Sequence, residues 1–195
     1  ALPIFMAEHS ERFAETVIAE MRGISDEEGR SPFWDWLEEH FFSMDFPTAD
    51  YLTGIGKKVF IAELMPKHPI YVSLLSKDAQ KVINEVHPKT LPALRLLEAE
   101  GFARRGYVDI FDGGPTVESQ TTAVKTVRNS NKYQVIIGDI DSTDNYIICN
   151  TKIAGFRAVQ APVSLRATAE QVVISTNVAE ALQVNEGDFV RLVQN

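Results

Sequence analysis

After Asn129-Ser130-Asn131 the sequence changes texture, and that break constrains the fold more than any other feature. Beyond it come five short strand-like segments, Tyr133–Ile137, Asn145–Cys149, Phe156–Val159, Gln171–Ser175 and Phe189–Val193. Gly, Asn and Asp turns part them, and one short helix is expected at Val178–Leu182. Strands at this spacing over roughly 65 residues predict a small β-barrel. The chain thus divides into residues 1–129 and a barrel domain, 130–195.

The first part mixes helices and strands. Ala1-Leu2-Pro3-Ile4-Phe5-Met6-Ala7 is apolar from its first residue, and the segment through Phe13 reads as the later part of an amphipathic helix. Its apolar side is expected to be exposed, and to be covered by a preceding segment or a neighbouring subunit. Thr16–Met21 reads as a strand and Gly23–Arg30 as an acidic loop. Ser31-Pro32 opens a helix with a capping residue and a proline at its first position. Phe33, Trp34, Leu37 and Phe41 give that helix an apolar stripe, widened by Trp36 and Phe42. Such aromatic density reads as core or subunit interface before ligand pocket. Thr48 begins a short helix that ends at Gly54-Ile55-Gly56, a pattern too weak for a phosphate loop.

From Lys58 to Glu118 the pattern is more specific. Val59–Leu64 suits a buried strand, and Ser76 caps a helix through Ile83. Val86-His87-Pro88 interrupts, because a residue before proline is driven out of the helical region. A helix with Leu91, Leu94 and Leu97 on one face stops at Gly101. Tyr107–Phe111 and Thr116–Gln120 read as strands joined by the Asp112-Gly113-Gly114-Pro115 turn. Thr121–Asn129 is a short helix or linker.

Composition excludes several functions. A net charge of −8 with no basic run argues against binding a nucleic-acid backbone. No apolar run approaches the ~18 residues that cross a membrane, and no signal peptide is visible. Cys149, the single cysteine, lies in an apolar run and reads as a buried structural thiol in a reducing compartment. No histidine pair has metal-ligand spacing, so no metal site is expected.

His87 is the leading candidate for chemistry. Imidazole titrates near ~6.5, so it can give or take a proton at neutral pH. Its place at the mouth of a helix also suits a simple cap. His68, between Lys67 and Pro69, is a pocket candidate or a loop histidine bonded to backbone. Glu20 and Glu63 stand among apolar neighbours on expected strands, which suits either a base or a salt bridge. Asp109 should share a sheet face with Tyr107 and Phe111, and Asp112 reads as a turn residue or a ligand.

Several strings resemble the arginine N-succinyltransferase family of the CoA-dependent N-acyltransferase superfamily. They include Ala19-Glu20-Met21-Arg22-Gly23, Ser31-Pro32-Phe33-Trp34, Phe41–Phe46, Phe60–Tyr71, Val86-His87-Pro88, Glu100-Gly101-Phe102 and Tyr107–Thr116. The match runs from Met6 to about Thr122 and is looser over the barrel, resting there on Glu186-Gly187-Asp188 to Val193. The resemblance implies an α+β fold with an antiparallel-rich sheet, flanking helices and an appended small β-barrel. It implies transfer of succinyl from succinyl-CoA, a co-substrate and not a cofactor, to the α-amino group of L-arginine. His87 would then be the proton donor, with direct transfer and no acyl-enzyme. A guanidinium can be held bidentately by carboxylate, so Glu63, Asp109 and Asp112 become candidate substrate ligands beside His68. Chains of this family extend further at the N-terminus, so this chain is expected to be the C-terminal part of a longer cytoplasmic enzyme, active as a homo- or hetero-oligomer. A non-catalytic subunit paired with a catalytic homologue, or a succinyltransferase for another amine such as ornithine, are the alternative expectations.

Overall fold

The structure is a computed structural model that describes residues 1–41, 44–57, 59, 63, 66–166 and 169–194, with the backbone alone at 46, 47 and 50. The chain separates into two units, Ala1–Val17 with Ser119–Asn195, and Ile18–Glu118.

In the first unit, helix α1 (Leu2–Glu8) precedes a 3-10 turn (Ser10–Arg12). The chain returns through a 3-10 turn (Thr121–Ala123) and helix α6 (Lys125–Asn129) to a six-stranded sheet. Its strands are β4 (Asn131–Ile137), β5 (Asn145–Asn150), β6 (Ala158–Pro162), β7 (Ser164–Arg166), β8 (Gln171–Ile174) and β9 (Phe189–Gln194). Their order is β6-β5-β9-β4-β8-β7, antiparallel except for the parallel pair β4/β8. Helix α7 (Thr176–Leu182) follows β8; the Ser175 hydroxyl accepts the Val178 N–H at 3.4 Å, and Gln183 closes the helix at φ 54°.

The expected barrel is here a curled, open sheet. Laid flat, five strand spacings would put its edges ~24 Å apart. Yet the edge strands β6 and β7 are separated in sequence by Val163 alone, a reach of ~7 Å. The sheet must therefore curl, and Val163 lies in one core cluster with Ile148 of β5 and Val172 of β8. No hydrogen-bonded pairing of β6 with β7 closes the ring among the described residues.

Strands β5 and β9 are buried on both faces, which explains their unbroken apolar runs. Ile148, Val190 and Leu192 enter the main core, whereas Cys149 and Val193 meet Ile4 of α1. The expectation of an exposed α1 is thereby corrected. Ile4 and Met6 are 1% and 3% exposed, and Ile4 packs on Cys149 and Val193 of the chain's own sheet. Glu8, at the end of α1, pairs with Lys132 at 2.8 Å and Arg191 at 2.9 Å. Burial by itself would raise the Glu8 carboxyl, but hydrogen bonds from Lys132 and Arg191 prevail and hold it below the usual range. Burial pushes the Cys149 thiol up to about 12, as befits a structural thiol.

The second unit takes in the outer part of β1 (Thr16–Glu20), then α2 (Pro32–Phe41), α3 (Phe46–Gly54), α4 (Lys77–Val82), α5 (Leu91–Ala99), β2 (Ala103–Val108) and most of β3 (Pro115–Gln120). The strands form a three-stranded sheet in the order β1-β3-β2, with β2 and β3 antiparallel. Ser76 caps α4 through the Ala79 N–H, as its sequence predicts. Helix α3 starts two residues earlier than expected because the Asp45 carboxylate takes the Thr48 N–H at 2.8 Å. On α2, Trp34 is fully buried; its indole N–H donates to the Met44 carbonyl and its ring lies 5.1 Å from that of Phe111. Phe41, expected on the same stripe, is 44% exposed. The strand expected at Val59–Leu64 falls mostly outside the described residues. Of the two described, Val59 and Glu63 are helical and exposed.

Candidate active site

A cleft of about 480 Å³ opens where β1 ends, lined by Glu20, Met21, Arg22, Ser25, Gly29, Asp109, Phe111 and Asp112. Glu20 closes β1, the edge strand, and its carboxylate is exposed. Asp109 stands just past β2. It does not share a sheet face with Tyr107 and Phe111 as alternation predicted, because the strand ends at Val108 and Asp109 begins a turn. One Asp109 carboxylate oxygen accepts the Phe111 N–H at 2.7 Å, while its backbone N–H and carbonyl bond Gly114 and Gly113. Tyr107 is 64% exposed, and Phe111 packs toward Trp34. Burial, then the charges of Asp112 and Glu20, push the Asp109 carboxyl above its usual value despite hydrogen bonds from the Phe111 and Asp112 backbone.

Asp112 is 8% exposed, and both carboxylate oxygens are engaged. Oδ2 accepts the Gly23 N–H at 2.6 Å and Oδ1 the Gly114 N–H at 2.8 Å. The backbones of Gly23 and Gly114 approach so closely that a Cβ on Gly23 would lie 2.6 Å from the Asp112 carbonyl oxygen. A Cβ on Gly114 would run into the Met21 carbonyl. Glycine is required at both points by contact.

His87 is not among the cleft's described lining residues, but it is tied to one of them. Its backbone N–H donates to the Arg22 carbonyl at 2.9 Å, and its carbonyl accepts the Thr90 N–H at 2.8 Å. Nδ1 accepts the Lys89 N–H at 3.2 Å, which leaves the ring proton on Nε2. The ring therefore does not cap α5, whose N-cap is Thr90. Glu63 and His68 are both exposed, and neither is among the described lining residues. Glu20 and Arg22 are the charged lining residues that sequence reasoning did not place in the substrate site, although both lie in the string Ala19–Gly23. A separate apolar cavity of about 370 Å³ is walled by Phe33, Trp36, Leu37, Ile70 and Val108, so part of the α2 stripe lines space as well as core.

A family model described as arginine N-succinyltransferase beta subunit matches residues 3–126, and the model of its C-terminal domain matches residues 131–194. The chain belongs to this family. An arginine N-succinyltransferase of Yersinia pestis is 48% identical over 198 residues, which cover 97% of this chain and 56% of the relative. The arginine N-succinyltransferase subunit beta of Pseudomonas aeruginosa is 48% identical over 191 residues, with the same two shares. A solved structure, that of arginine/ornithine succinyltransferase subunit AI from Pseudomonas aeruginosa, superposes with a TM-score of 0.84 at 38% identity. It is matched over 99% of this chain and 55% of its own. The chain spans little more than half the length of the relatives it matches. Among the described residues no helix is long and apolar enough to cross a membrane.

Proposed function

We propose that this chain supplies the amine-binding and proton-transfer side of an arginine N-succinyltransferase, with L-arginine and succinyl-CoA as substrates. The observation that carries the reading is the joining of His87 to an acidic cleft: its main chain hangs on Arg22, which lines the space shared by Glu20, Asp109 and Asp112. Three carboxylates against one lining guanidinium leave a surplus of negative charge that suits a cationic substrate. Glu20 and Asp109 hold the guanidinium; Asp112, with both oxygens taken by backbone, adds charge without a direct bond. Glu63 and His68, exposed and outside the described lining, have no part in this reading.

In the reaction the neutral α-amine attacks the thioester carbonyl. The tetrahedral oxyanion collapses with cleavage of the C–S bond, the new amide nitrogen releases its extra proton to solvent, and the thiolate gains one. His87 supplies the thiolate's proton. The imidazolium forms when Nδ1 leaves the Lys89 N–H and takes a proton from solvent, and Nε2 then delivers its proton to sulfur. The enzyme works in the cytoplasm, as an oligomer.

The structural relative is named for ornithine as well as arginine, which favours a second reading with ornithine as the acceptor. An ammonium on a shorter chain can meet the same carboxylates. Steady-state assays with succinyl-CoA and each amine decide: a higher kcat/KM for arginine supports the first reading, and the reverse order supports the second. No transfer to either amine, with activity restored by a related subunit, would make this chain a non-catalytic partner.

A further inference from the structure

We propose that Asp112 is a positioning residue for His87 and not a substrate ligand, an inference that rests on the proton-transfer reading of His87. Four hydrogen bonds build one continuous device. The Asp112 carboxylate clamps the end of β1 to the Asp109–Gly114 turn, by Gly23 N–H to Oδ2 at 2.6 Å and Gly114 N–H to Oδ1 at 2.8 Å. The segment that carries His87 then hangs on both sides of that clamp. The Asn84 N–H donates to the Gly113 carbonyl at 2.7 Å, and the His87 N–H to the Arg22 carbonyl at 2.9 Å.

Each anchor point is the immediate chain neighbour of a clamped residue: Gly113 precedes Gly114, and Arg22 precedes Gly23. If the clamp opens, the two carbonyls that hold Asn84 and His87 move apart. The backbone between them cannot follow freely. Asn84 already sits at φ 65°, a left-handed conformation, and Pro88 fixes the far side of His87. The exposed Arg104 guanidinium adds a further anchor at 2.8 Å on the Asn84 carbonyl. Displacement therefore reaches the His87 ring. A direct substrate role is disfavoured by the same geometry, since Asp112 is buried and each of its oxygens already accepts a short backbone bond.

The test is steady-state kinetics of the full chain with succinyl-CoA and arginine. Asp112→Asn keeps an oxygen for the Gly114 N–H but sets an NH₂ against the Gly23 N–H, donor against donor. Its kcat should fall roughly 10²-fold, the order expected for a displaced catalytic group, while the KM for arginine changes little. In a His87→Gln background the same substitution should lower kcat no further. Retained kcat with a raised arginine KM would overturn the proposal and make Asp112 a substrate ligand. Losses that multiply in the double variant would also overturn it, while leaving the role of His87 intact. A parental rate in His87→Gln alone would overturn the underlying reading and this inference with it. Should Asp112→Asn not fold, Arg104→Ala at the exposed anchor substitutes. It should lower kcat by up to about tenfold at constant KM, again only when His87 is present, and a parental kcat there overturns the proposal.

Discussion

Replacing Asp109 with asparagine should weaken arginine binding while leaving the fold at least as stable. The carboxylate faces the cleft with Glu20, and backbone N–H groups of Phe111 and Asp112 meet it. A hydrogen bond to a charged group contributes about 1.5–3 kcal/mol. Asparagine retains one carbonyl acceptor for the Phe111 N–H, so the lower end applies, roughly a tenfold rise in the Kd for arginine. Stability should move the other way. Burial, and then neighbouring charge, raise the Asp109 carboxyl in the fold. Its contribution to stability is therefore present below the unfolded carboxyl value and is lost as pH rises through the raised folded one. At neutral pH the unionisable variant escapes that loss, and its melting temperature should equal or exceed the parent's. Arginine binding by the parent should also weaken as pH falls through the raised value, a dependence diminished in Asp109→Asn. Calorimetric titration of arginine at several pH values, with thermal melts alongside, measures both effects. An unchanged arginine Kd in Asp109→Asn would refute the placement of the guanidinium.

Asn150 is fully buried, and its side chain bonds the Gly155 and Leu182 carbonyls and the Arg157 and Lys152 N–H groups. Asn150→Ala should cost about 3 kcal/mol in denaturant unfolding, the scale of orphaned buried partners. Glu8→Gln, which removes the charge between Lys132 and Arg191, should cost about 1–3 kcal/mol at neutral pH. Because the Glu8 carboxyl is lowered in the fold, that stability is present above the unfolded value and lost as pH falls through the folded one. Parent and Glu8→Gln should therefore converge in acid melts. Gly114→Ala drives a methyl group at the Met21 carbonyl, with the Gly23 Cα 2.8 Å away. Neither is a flexible side-chain end, so about 1–3 kcal/mol of overpacking destabilisation should appear in the same assay.

Local signals were legible where one residue satisfies a nearby backbone group. Ser76 before α4, Ser31-Pro32 before α2 and Gly101 after α5 each stand where the sequence places them. Five of the six short strands after residue 130 were legible from their turns; the three-residue β7, Ser164–Arg166, was not. Their curled, open arrangement was not, because it depends on β6 and β7 leaving opposite edges through Val163. The cover over α1 was hidden for a related reason: β5 and β9 bury both faces, and a continuous apolar run does not say what lies on each side. At the candidate site, Asp112 looks local, as a turn residue, yet one of its two partners, Gly23, is 89 residues away. The β1-β3-β2 order brings Glu20 to Asp109, a neighbourhood that no periodicity encodes. Val108 ends β2 because Asp109 turns the chain, and this undid the expected alternation with Tyr107 and Phe111.

His87 carries the account, and His87→Gln tests it most directly. The bonds that hold this residue to the Arg22 carbonyl and the Thr90 N–H are main-chain bonds, so a side-chain substitution keeps them. Glutamine can still accept the Lys89 N–H but cannot transfer a proton in the reaction. Positioned acid–base groups contribute about 10²–10⁴-fold in rate. The account predicts a kcat lowered by that range with the parental melting temperature, and a larger loss as the thiol leaving group is made more basic. A His87→Gln enzyme that turns over at the parental rate would contradict it.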